Sequence, residues 1–404
     1  MAESQIHGWT AEGWEGVRGA FSANFDQRKE VGAAFSAYHR GKKVVDLWGG
    51  IADERSGSPW EENTMVMVFS TTKGATAMCA NQLAQQGKLD MDAPVAEYWP
   101  EFAQAGKEKI PVSYLLSHQA GLAWIDEKLT VEEALSWDPV VTALARQAPG
   151  WEPGTKHGYH ASTYGWLVGE VVRRISGLSL GTYLAHNIAE PLGLDLYIGL
   201  PDSEEPRVAT LVSFMPEGGS GDGDNELSEL LGAFMGPETP LGKALRSPFS
   251  GSIGLEGHSS GDAASFMNSR ELHAAEAPAF NGICDARSLA RMYSAAINEV
   301  DGFRLLTPGQ LKAATTQLTS GGNFVLFDID LQFGLGFMLH SSLVDLGGPR
   351  SFGHFGMGGS LGWADPDAEL AMGYVMNRMD MGMVGDVRGF ELVTASFDAA
   401  AQAS

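Results

Sequence analysis

Strand-like segments stand near both ends of this chain with a long helical stretch between them, and this arrangement strongly limits the folds that the chain can adopt. Residues 33–39 and 43–49 are apolar-rich runs separated by three residues, a spacing that predicts an antiparallel hairpin. Residues 331–339, 351–366 and 369–379 predict three further strands. Strands from the two ends should therefore form one antiparallel sheet.

The middle of the chain has helical periodicity, clearest in residues 113–122, 131–147, 163–177 and 285–300. Asp285 stands where it can cap the last of these helices. Strands and helices do not alternate along the chain, which argues against a doubly wound parallel sheet. The predicted fold class is therefore α/β in content and α+β in arrangement, with an antiparallel sheet flanked by helices and a mostly helical insertion.

This pattern predicts two regions. Residues 1–90 and 285–404 should build the sheet region, and residues 91–284 should build the mainly helical region. Residues 216–224 are rich in Gly, Ser and Asp, which is typical of a surface loop.

Composition excludes some partners. The 27 Lys and Arg residues against 50 Asp and Glu give a formal net charge of −23, and no basic run is present, so a nucleic-acid partner is not expected. No apolar stretch is long enough to span a bilayer, and the first residues do not resemble a signal peptide, so no membrane partner and a cytoplasmic location are expected. The two cysteines, Cys79 and Cys284, imply no disulfide framework. The oligomeric state stays open.

Ser70 and Lys73 form the most informative pair in the chain. Residues 66–69 are apolar, Ser70 is predicted to open a helix that continues to about Gln86, and Gly87 is a plausible stop. Lys73 lies one turn beyond Ser70 on the same face. Burial and the positive end of the helix both lower the pKa of a lysine, so Lys73 can serve as the base for a Ser70 nucleophile. The alternative is that Ser70 merely caps the helix and Lys73 is solvated.

Tyr159 is a candidate partner of this pair, because a phenol beside an amine can relay the serine proton to a leaving group. It stands in a glycine-rich lead-in to the helix predicted over residues 163–177. The alternative is that Tyr159 or Tyr164 is an ordinary tyrosine at a loop edge.

Residues 352–366 predict a strand of small residues against which a substrate could lie. The backbone amides of Met357 and Ser70 are candidates for the two donors of an oxyanion hole, and His354 would face the pocket.

The pattern G-x-S-x-G occurs around Ser259 and again around Ser360. In α/β-hydrolases this pattern marks a nucleophile that needs an acid and then a histidine later in the chain. No histidine follows Ser360, so it fails this requirement. Ser259 could pair with Asp328 and His354, but the run before it makes a poor buried strand. His157 and His160 lack a further ligand at useful spacing, so neither a metal site nor a cofactor is expected.

Three motifs together resemble a known family. Residues 70–73 (STTK), 159–161 (YHA) and 354–356 (HFG) follow the order and rough spacing of the motifs of class C β-lactamases and DD-peptidases. Over about residues 30–380 the sequence also resembles the family VIII carboxylesterases, which share that fold. The segments that carry this resemblance are residues 68–77, 115–122, 153–172, 276–282 and 353–366. The resemblance implies a β-lactamase-like fold and a serine hydrolase.

The resemblance also implies roles for individual residues. Ser70 would be the nucleophile, Lys73 the base and Tyr159 the proton relay, with an oxyanion hole made by the amides of Ser70 and Met357. Substrate contacts are implied for His354, Phe355, Gly356, Trp124 and His160.

Two departures from the lactam-acting pattern favour an ester as the substrate. Ala161 stands where those enzymes have the asparagine that holds a peptide-like acyl amide, and His354 stands where they often have a lysine that pairs with a carboxylate. Both changes weaken the binding of an anionic peptide mimic but leave the acyl-transfer residues in place. A small ester with a short or compact acyl group is therefore the expected substrate. The alternatives are a β-lactam or D-peptide substrate, acyl transfer to an alcohol, and a non-catalytic binding module.

Overall fold

A computed structural model describes residues 6–212, 236–248, 265–380 and 385–403. Within these residues an antiparallel sheet of eight strands has the order β1-β3-β2-β11-β10-β9-β8, with β4 paired to β3, and a small sheet has the order β5-β7-β6. The strands are β1 Ile6–Thr10, β2 Gly32–His39, β3 Lys42–Asp53, β4 Ser58–Pro59, β5 Val66–Met67, β6 Leu196–Tyr197, β7 Ile283–Cys284, β8 Met338–Leu339, β9 Phe352–Phe355, β10 Leu361–Asp365 and β11 Leu370–Met376.

Fourteen α-helices occur in the same described residues. Most of the shorter ones come, in chain order, after strands β1–β4 and before strands β8–β11 of the large sheet. They are α1 Glu15–Arg28, α2 Thr72–Gln85, α3 Val95–Tyr98, α4 Val112–Leu116, α5 Val131–Leu135, α6 Asp138–Arg146, α7 Thr163–Ser176, α8 Leu180–Leu184, α9 Glu190–Leu192, α10 Pro240–Arg246, α11 Arg270–Ala274, α12 Ala286–Ile297, α13 Pro308–Ala314 and α14 Val387–Gln402.

The two ends of the chain meet in the large sheet, as predicted. Strands β2 and β3 form the expected hairpin, and its turn uses Arg40 and Gly41 at φ values of 52° and 74°. Strand β11 then pairs along β2, with Leu370 opposite His39 and Met376 opposite Ala33. The sheet therefore depends on contacts between residues more than 300 positions apart. The division into two regions at residues 90 and 284 stays a prediction.

Two of the predicted strands are wrong in extent, because glycines turn the backbone inside them. Residues 331–339 contain only β8, since Gly336 has a φ of 91° and a side chain there would overlap Ala77 and press on Tyr164. Residues 351–366 form two strands, β9 and β10, joined by a tight turn. In that turn Gly358 and Gly359 have φ values of 88° and 123°, which other residues rarely adopt.

The first described residues hold elements that the sequence did not predict. Strand β1 pairs with β3 at the edge of the sheet, and helix α1 packs against α14. The predicted helix over residues 131–147 is divided into α5 and α6 by Trp137, whose φ is 60°. Residues 216–224 and Ser259 lie outside the described part of the chain.

Helix α2, which follows Ser70, is buried on all sides. Every residue from Thr72 to Leu83 is buried, and both cysteines are buried and free. The helix is preceded by a short 3₁₀ turn, Phe69–Thr71, so the predicted start at Ser70 is confirmed to within a turn. Of the helices in the described residues, none has the length and apolar character required to cross a bilayer.

The predicted cap of α12 provides a test of local stability. The carboxylate of Asp285 accepts a hydrogen bond of 2.7 Å from the backbone N–H of Ser288. Replacing Asp285 by Ala is expected to lower the free energy of unfolding by about 1 kcal/mol, because one amide at the helix start loses its acceptor. Asp285→Asn can keep that bond and is the control. Urea unfolding monitored by circular dichroism measures both, and an alanine variant as stable as the asparagine variant would contradict the assignment.

Candidate active site

Ser70 lies where a strand of the small sheet runs into the buried helix α2. The N–H of Val68 donates to Gly282 O at 2.8 Å, and the N–H of Gly282 donates to the hydroxyl of Thr72 at 2.9 Å, so the entry to the helix is fixed from both sides. Phe69 has a φ of 45°, an uncommon conformation for a side-chain-bearing residue. This sharp turn places a half-buried Ser70 at the electropositive end of the helix.

Lys73 is completely buried and its amine touches three oxygen atoms. Its Nζ is 2.7 Å from Ala161 O, 3.0 Å from Ala279 O and 3.1 Å from Ser70 Oγ. Carbonyl oxygens only accept hydrogen bonds, so two N–H groups of the amine are directed at them. In the uncharged amine the remaining position is a lone pair, and it faces the Ser70 hydroxyl.

The surroundings of Lys73 favour this uncharged form. Burial holds the pKa of the Lys73 amine well below its usual range, and none of the ion pairs in the described residues includes it. A buried ammonium without a carboxylate partner would be strongly destabilising, so the group loses its proton instead. The predicted base is therefore in contact with the predicted nucleophile and in the protonation state that a base requires.

The segment that carries Tyr159 is held by three successive backbone N–H groups. Gly158 N–H donates to His118 O at 2.9 Å, and Tyr159 N–H donates to the side-chain oxygen of Asn323 at 3.0 Å. His160 N–H donates to His118 Nδ1 at 3.1 Å. The position of the phenol is thus determined by two distant segments of the chain.

The ring of Tyr159 lies beside both members of the pair. Its centroid is 4.8 Å from Lys73 Nζ. Burial raises the pKa of the Tyr159 phenol, and a hydrogen bond with Ser70 acts in the opposite direction. The phenol is therefore protonated near neutral pH and lies within reach of the serine oxygen, as a proton relay requires.

His118 belongs to the site and was not identified as a functional residue from the sequence. Its ring is buried against Tyr159, Tyr164 and Phe333, with ring centroids 5.0, 5.2 and 4.5 Å away. Burial and the nearby His160 hold the pKa of His118 well below its usual range, so the ring is neutral. Its φ of 62° turns the chain so that both its carbonyl and its ring reach the Tyr159 segment. Residues 115–122 carried the signal, as part of the family resemblance.

His354 faces the site from strand β9. Its ring is fully buried, and Nδ1 donates to the carbonyl of Phe355 at 2.7 Å, which leaves Nε2 as an acceptor. Nε2 has no hydrogen-bond partner among the described residues. Burial, and then the charge that Lys73 would carry, lower the pKa of His354 to about 3. His354 is therefore neutral and offers no cation at the position where the lactam-acting pattern often has a lysine.

Phe355 and Gly356 have structural roles that differ from the expected substrate contact. The ring of Phe355 stacks on Trp363 at 5.3 Å between centroids and packs against Phe390, so its side chain is part of the core. A side chain at Gly356 would overlap Ser360 and the carbonyl of Val68. Gly356 thus allows the strand to approach the residues before Ser70.

His160 is also better explained by structure than by substrate binding. Its Nδ1 donates to Gly158 O at 2.7 Å and its Nε2 accepts from the N–H of Leu122 at 3.0 Å, so no ring nitrogen is left for a substrate. Burial lowers the pKa of His160 to about 3.

Trp124 packs against Trp151 with centroids 6.1 Å apart, and Trp151 in turn contacts His160. The prediction that Trp124 lines the acyl pocket stays a prediction.

The two predicted oxyanion donors are both free to donate. Among the described residues, neither the N–H of Ser70 nor the N–H of Met357 has a hydrogen-bond acceptor. Met357 lies two residues beyond the end of β9, after Gly356, and its side chain is exposed. A helix start and a strand end therefore supply the unpaired amides that could bind an oxyanion.

Comparison with known proteins identifies the family. The family model described as Beta-lactamase matches residues 17–393. The chain belongs to the beta-lactamase family. It is 37% identical over 365 residues to the esterase/beta-lactamase LipL of Mycobacterium tuberculosis, a match that spans 89% of this chain and 80% of LipL.

Solved structures in the beta-lactamase family show the same fold. The chain is similar to a family VIII carboxylesterase, with 37% identity and a TM-score of 0.85 over 98% of this chain and 100% of that chain. It is also similar to a penicillin-binding protein homologue from Caulobacter crescentus, with 36% identity and a TM-score of 0.84 at the same coverage. The predicted fold class, family resemblance and esterase-type hydrolase are confirmed.

The protonation state of Lys73 predicts an unusual dependence of stability on pH. Between the lowered pKa of the folded state and the ordinary value near 10.4, the unfolded chain binds one proton more than the folded chain, so folding becomes more favourable as pH rises. The free energy of unfolding of the wild type, relative to Lys73→Met, should rise with pH by up to about 1.4 kcal/mol per pH unit, from above the lowered pKa of folded Lys73 to about pH 9.

Denaturant unfolding of both proteins at several pH values measures this slope. The exposed Lys88, changed to Met in the same way, controls for the loss of a lysine at the surface. If the free energies of unfolding of the wild type and of Lys73→Met change in parallel over this pH range, Lys73 is charged in the folded protein.

Proposed function

We propose that this protein is a serine hydrolase that cleaves carboxylic esters with short or compact acyl groups through a covalent acyl-Ser70 intermediate. The observation that carries the proposal is the buried Lys73 amine, which lies 3.1 Å from Ser70 Oγ and has no charged partner in the described part of the chain. The similarity to LipL and to a family VIII carboxylesterase, both named as esterases, supports the ester as the substrate class.

Acylation follows from the positions of the groups. Ser70 Oγ attacks the ester carbonyl carbon while its proton passes to the Lys73 amine, directly or through the Tyr159 phenol. The carbonyl oxygen becomes an oxyanion that accepts hydrogen bonds from the amides of Ser70 and Met357. When the tetrahedral intermediate collapses, the ester C–O bond breaks and Tyr159 delivers the proton to the departing alcohol.

Deacylation repeats these steps with water. A water molecule attacks the acyl carbonyl and loses a proton to the Tyr159 and Lys73 pair. The bond to Ser70 Oγ then breaks, the serine regains its proton and the carboxylic acid leaves. The amine starts and ends each half-reaction uncharged, and the second half-reaction also restores the free Ser70 hydroxyl.

The preference for a neutral acyl group rests on Ala161 and His354. Ala161 offers no side-chain amide to a peptide-like acyl group, although its carbonyl orients Lys73. His354 is fully buried and neutral, so it supplies no cation for a substrate carboxylate. A β-lactam is the second candidate substrate, because LipL is named both an esterase and a beta-lactamase.

Loss of the nucleophile tests the reaction. Ser70→Ala is expected to lower kcat for p-nitrophenyl butyrate by roughly a thousandfold or more, because the residual site can bind but not form the acyl-enzyme. Ser36→Ala, which changes a buried serine of β2 that donates to Val45 O, should retain wild-type turnover. A Ser70→Ala variant that keeps its activity would mean that another residue is the nucleophile.

Labelling of the wild type distinguishes an enzyme from a silent binding module. A fluorophosphonate should add once, at Ser70, as seen by mass spectrometry of the digested protein. No adduct and no ester turnover would favour the binding module.

A substrate comparison tests the acyl preference. We expect kcat/KM for p-nitrophenyl esters to fall as the acyl chain lengthens, and kcat/KM for nitrocefin to lie roughly tenfold or more below that for the best ester, because neither Ala161 nor His354 binds the anionic lactam. Steady-state kinetics under one set of conditions provide the values. Nitrocefin turned over as efficiently as the best ester would favour a β-lactamase.

A further inference from the structure

Ser360 is the serine of the second G-x-S-x-G pattern, and the proposed reaction gives it no role. Its side chain is 1% exposed, so it cannot meet a substrate in solution. It lies at the end of the turn that joins β9 to β10, three residues after Met357. A buried hydroxyl in this position needs hydrogen-bond partners, and those partners indicate its role.

The hydroxyl of Ser360 is bonded to the residues on both sides of Ser70. Its Oγ donates to Val68 O at 2.7 Å and is 3.0 Å from Thr71 Oγ1. Because the Ser360 proton is directed at a carbonyl, which can only accept, Thr71 is the donor in the second bond. Two hydrogen bonds therefore connect Thr71 through Ser360 to Val68. They bridge the turn that contains Ser70.

The same serine also closes the turn that carries Met357. The N–H of Gly356 donates to the backbone carbonyl of Ser360 at 2.8 Å, and the N–H of Gly359 donates to Gly356 O at 3.2 Å. Met357 lies inside this closed turn, next to Gly356. Ser360 thus contacts the segment around Ser70 through its side chain and the turn that carries Met357 through its backbone.

The opposite side of the turn is fixed by a buried arginine. Arg388 donates to Gly358 O at 2.8 Å and is itself paired with Glu30 at 3.0 Å and with Asp386. A side chain at Gly359 would overlap the Asp386 carboxylate. The turn cannot move away from Ser70 without breaking these contacts, so the Ser360 bonds act on a rigid element.

We propose that Ser360 is a positioning residue that holds the amides of Ser70 and Met357 at the separation the oxyanion requires. This inference rests on the proposed function, because it concerns the oxyanion of that reaction. An oxyanion donor contributes only when it lies at hydrogen-bond distance from the developing charge, and complete loss of one donor lowers kcat by about 100- to 1000-fold. Loss of the Ser360 hydroxyl leaves both donors present but loosens their spacing.

The variant Ser360→Ala tests this role in the full-length protein. We expect kcat for p-nitrophenyl butyrate to fall by roughly 10- to 100-fold with KM nearly unchanged, because the transition state depends on the donor spacing more than the bound ester does. The inhibition constant of an alkylboronic acid, which forms a tetrahedral adduct on Ser70, should rise by a similar factor. Ser360→Cys, which keeps the volume but has a weaker donor, should show a smaller loss.

A matched control separates positioning from general packing. Ser351 is equally buried, and its hydroxyl donates to the Asp365 carboxylate at 2.8 Å beside the same strands. Ser351→Ala should lower the melting temperature about as much as Ser360→Ala while leaving kcat and boronate affinity unchanged.

The outcomes distinguish this inference from the proposed function. A wild type that neither hydrolyses esters nor reacts with fluorophosphonate would overturn the proposed function itself. An active wild type together with a Ser360→Ala variant of unchanged kcat and boronate affinity would overturn only the role of Ser360. Should Ser360→Ala not fold, the kcat and boronate affinity of Ser360→Cys decide in the same way.

Discussion

The uncharged amine of Lys73, buried between two backbone carbonyls and the serine hydroxyl, is the interaction on which the rest of the site depends. Taking an amine out of water without a carboxylate partner costs stability, and the protein avoids part of that cost by releasing the proton. The result is an uncharged amine, as the proposed base requires. Ala161 O and Ala279 O hold it in the orientation that directs its lone pair at Ser70. Burial of Lys73 without a carboxylate partner among the described residues thus costs stability but gives the uncharged amine that the proposed reaction uses.

These two carbonyls come from segments that are far apart in the chain, so Lys73 also connects three parts of the fold. Ala161 belongs to the segment that carries Tyr159, and Ala279 lies in the stretch that runs along α2. Along that stretch Thr76 donates to Pro278 O at 2.6 Å, and Gly282 donates to Thr72 at 2.9 Å. The helix therefore has bonds on successive turns to the same segment. Such a network fits the burial of α2 on all sides.

The segment around Ser70 and the large sheet meet at the turn between β9 and β10, where Ser360 contacts Val68 and Thr71. This turn is fixed by the buried Arg388 on one side and by the Ser360 hydroxyl on the other, and it carries the Met357 amide between them. Helix α1 contributes to the same arrangement, because Glu30, just beyond its end, pairs with Arg388. Elements at the two ends of the chain therefore support the turn that carries the predicted oxyanion donor, the Met357 amide.

The grouping of the three candidate catalytic residues could be predicted from the sequence, and much of what holds them in place could not. Ser70, Lys73 and Tyr159 follow from local spacing and from motifs, since a lysine three residues after a serine must lie on the same helical face. The roles of His118 and Asn323 depend on contacts with the Tyr159 segment over 42 and 164 positions, which no local pattern encodes. The same reason explains why His160 was assigned to the substrate and Ser360 to no function. The strands predicted over residues 331–339 and 351–366 are wrong in extent, because glycines that suit a strand also permit a turn.

The direct test of this account is the protonation state of Lys73, measured by nuclear magnetic resonance of protein labelled with ¹³C at lysine Cε. The Lys73 signal is assigned by its absence from the Lys73→Met variant, and its chemical shift is followed as a function of pH. The account predicts that this signal has the shift of an uncharged amine near neutral pH and titrates well below the other lysines. A Lys73 signal that titrates near the ordinary pKa of about 10.4 would contradict it.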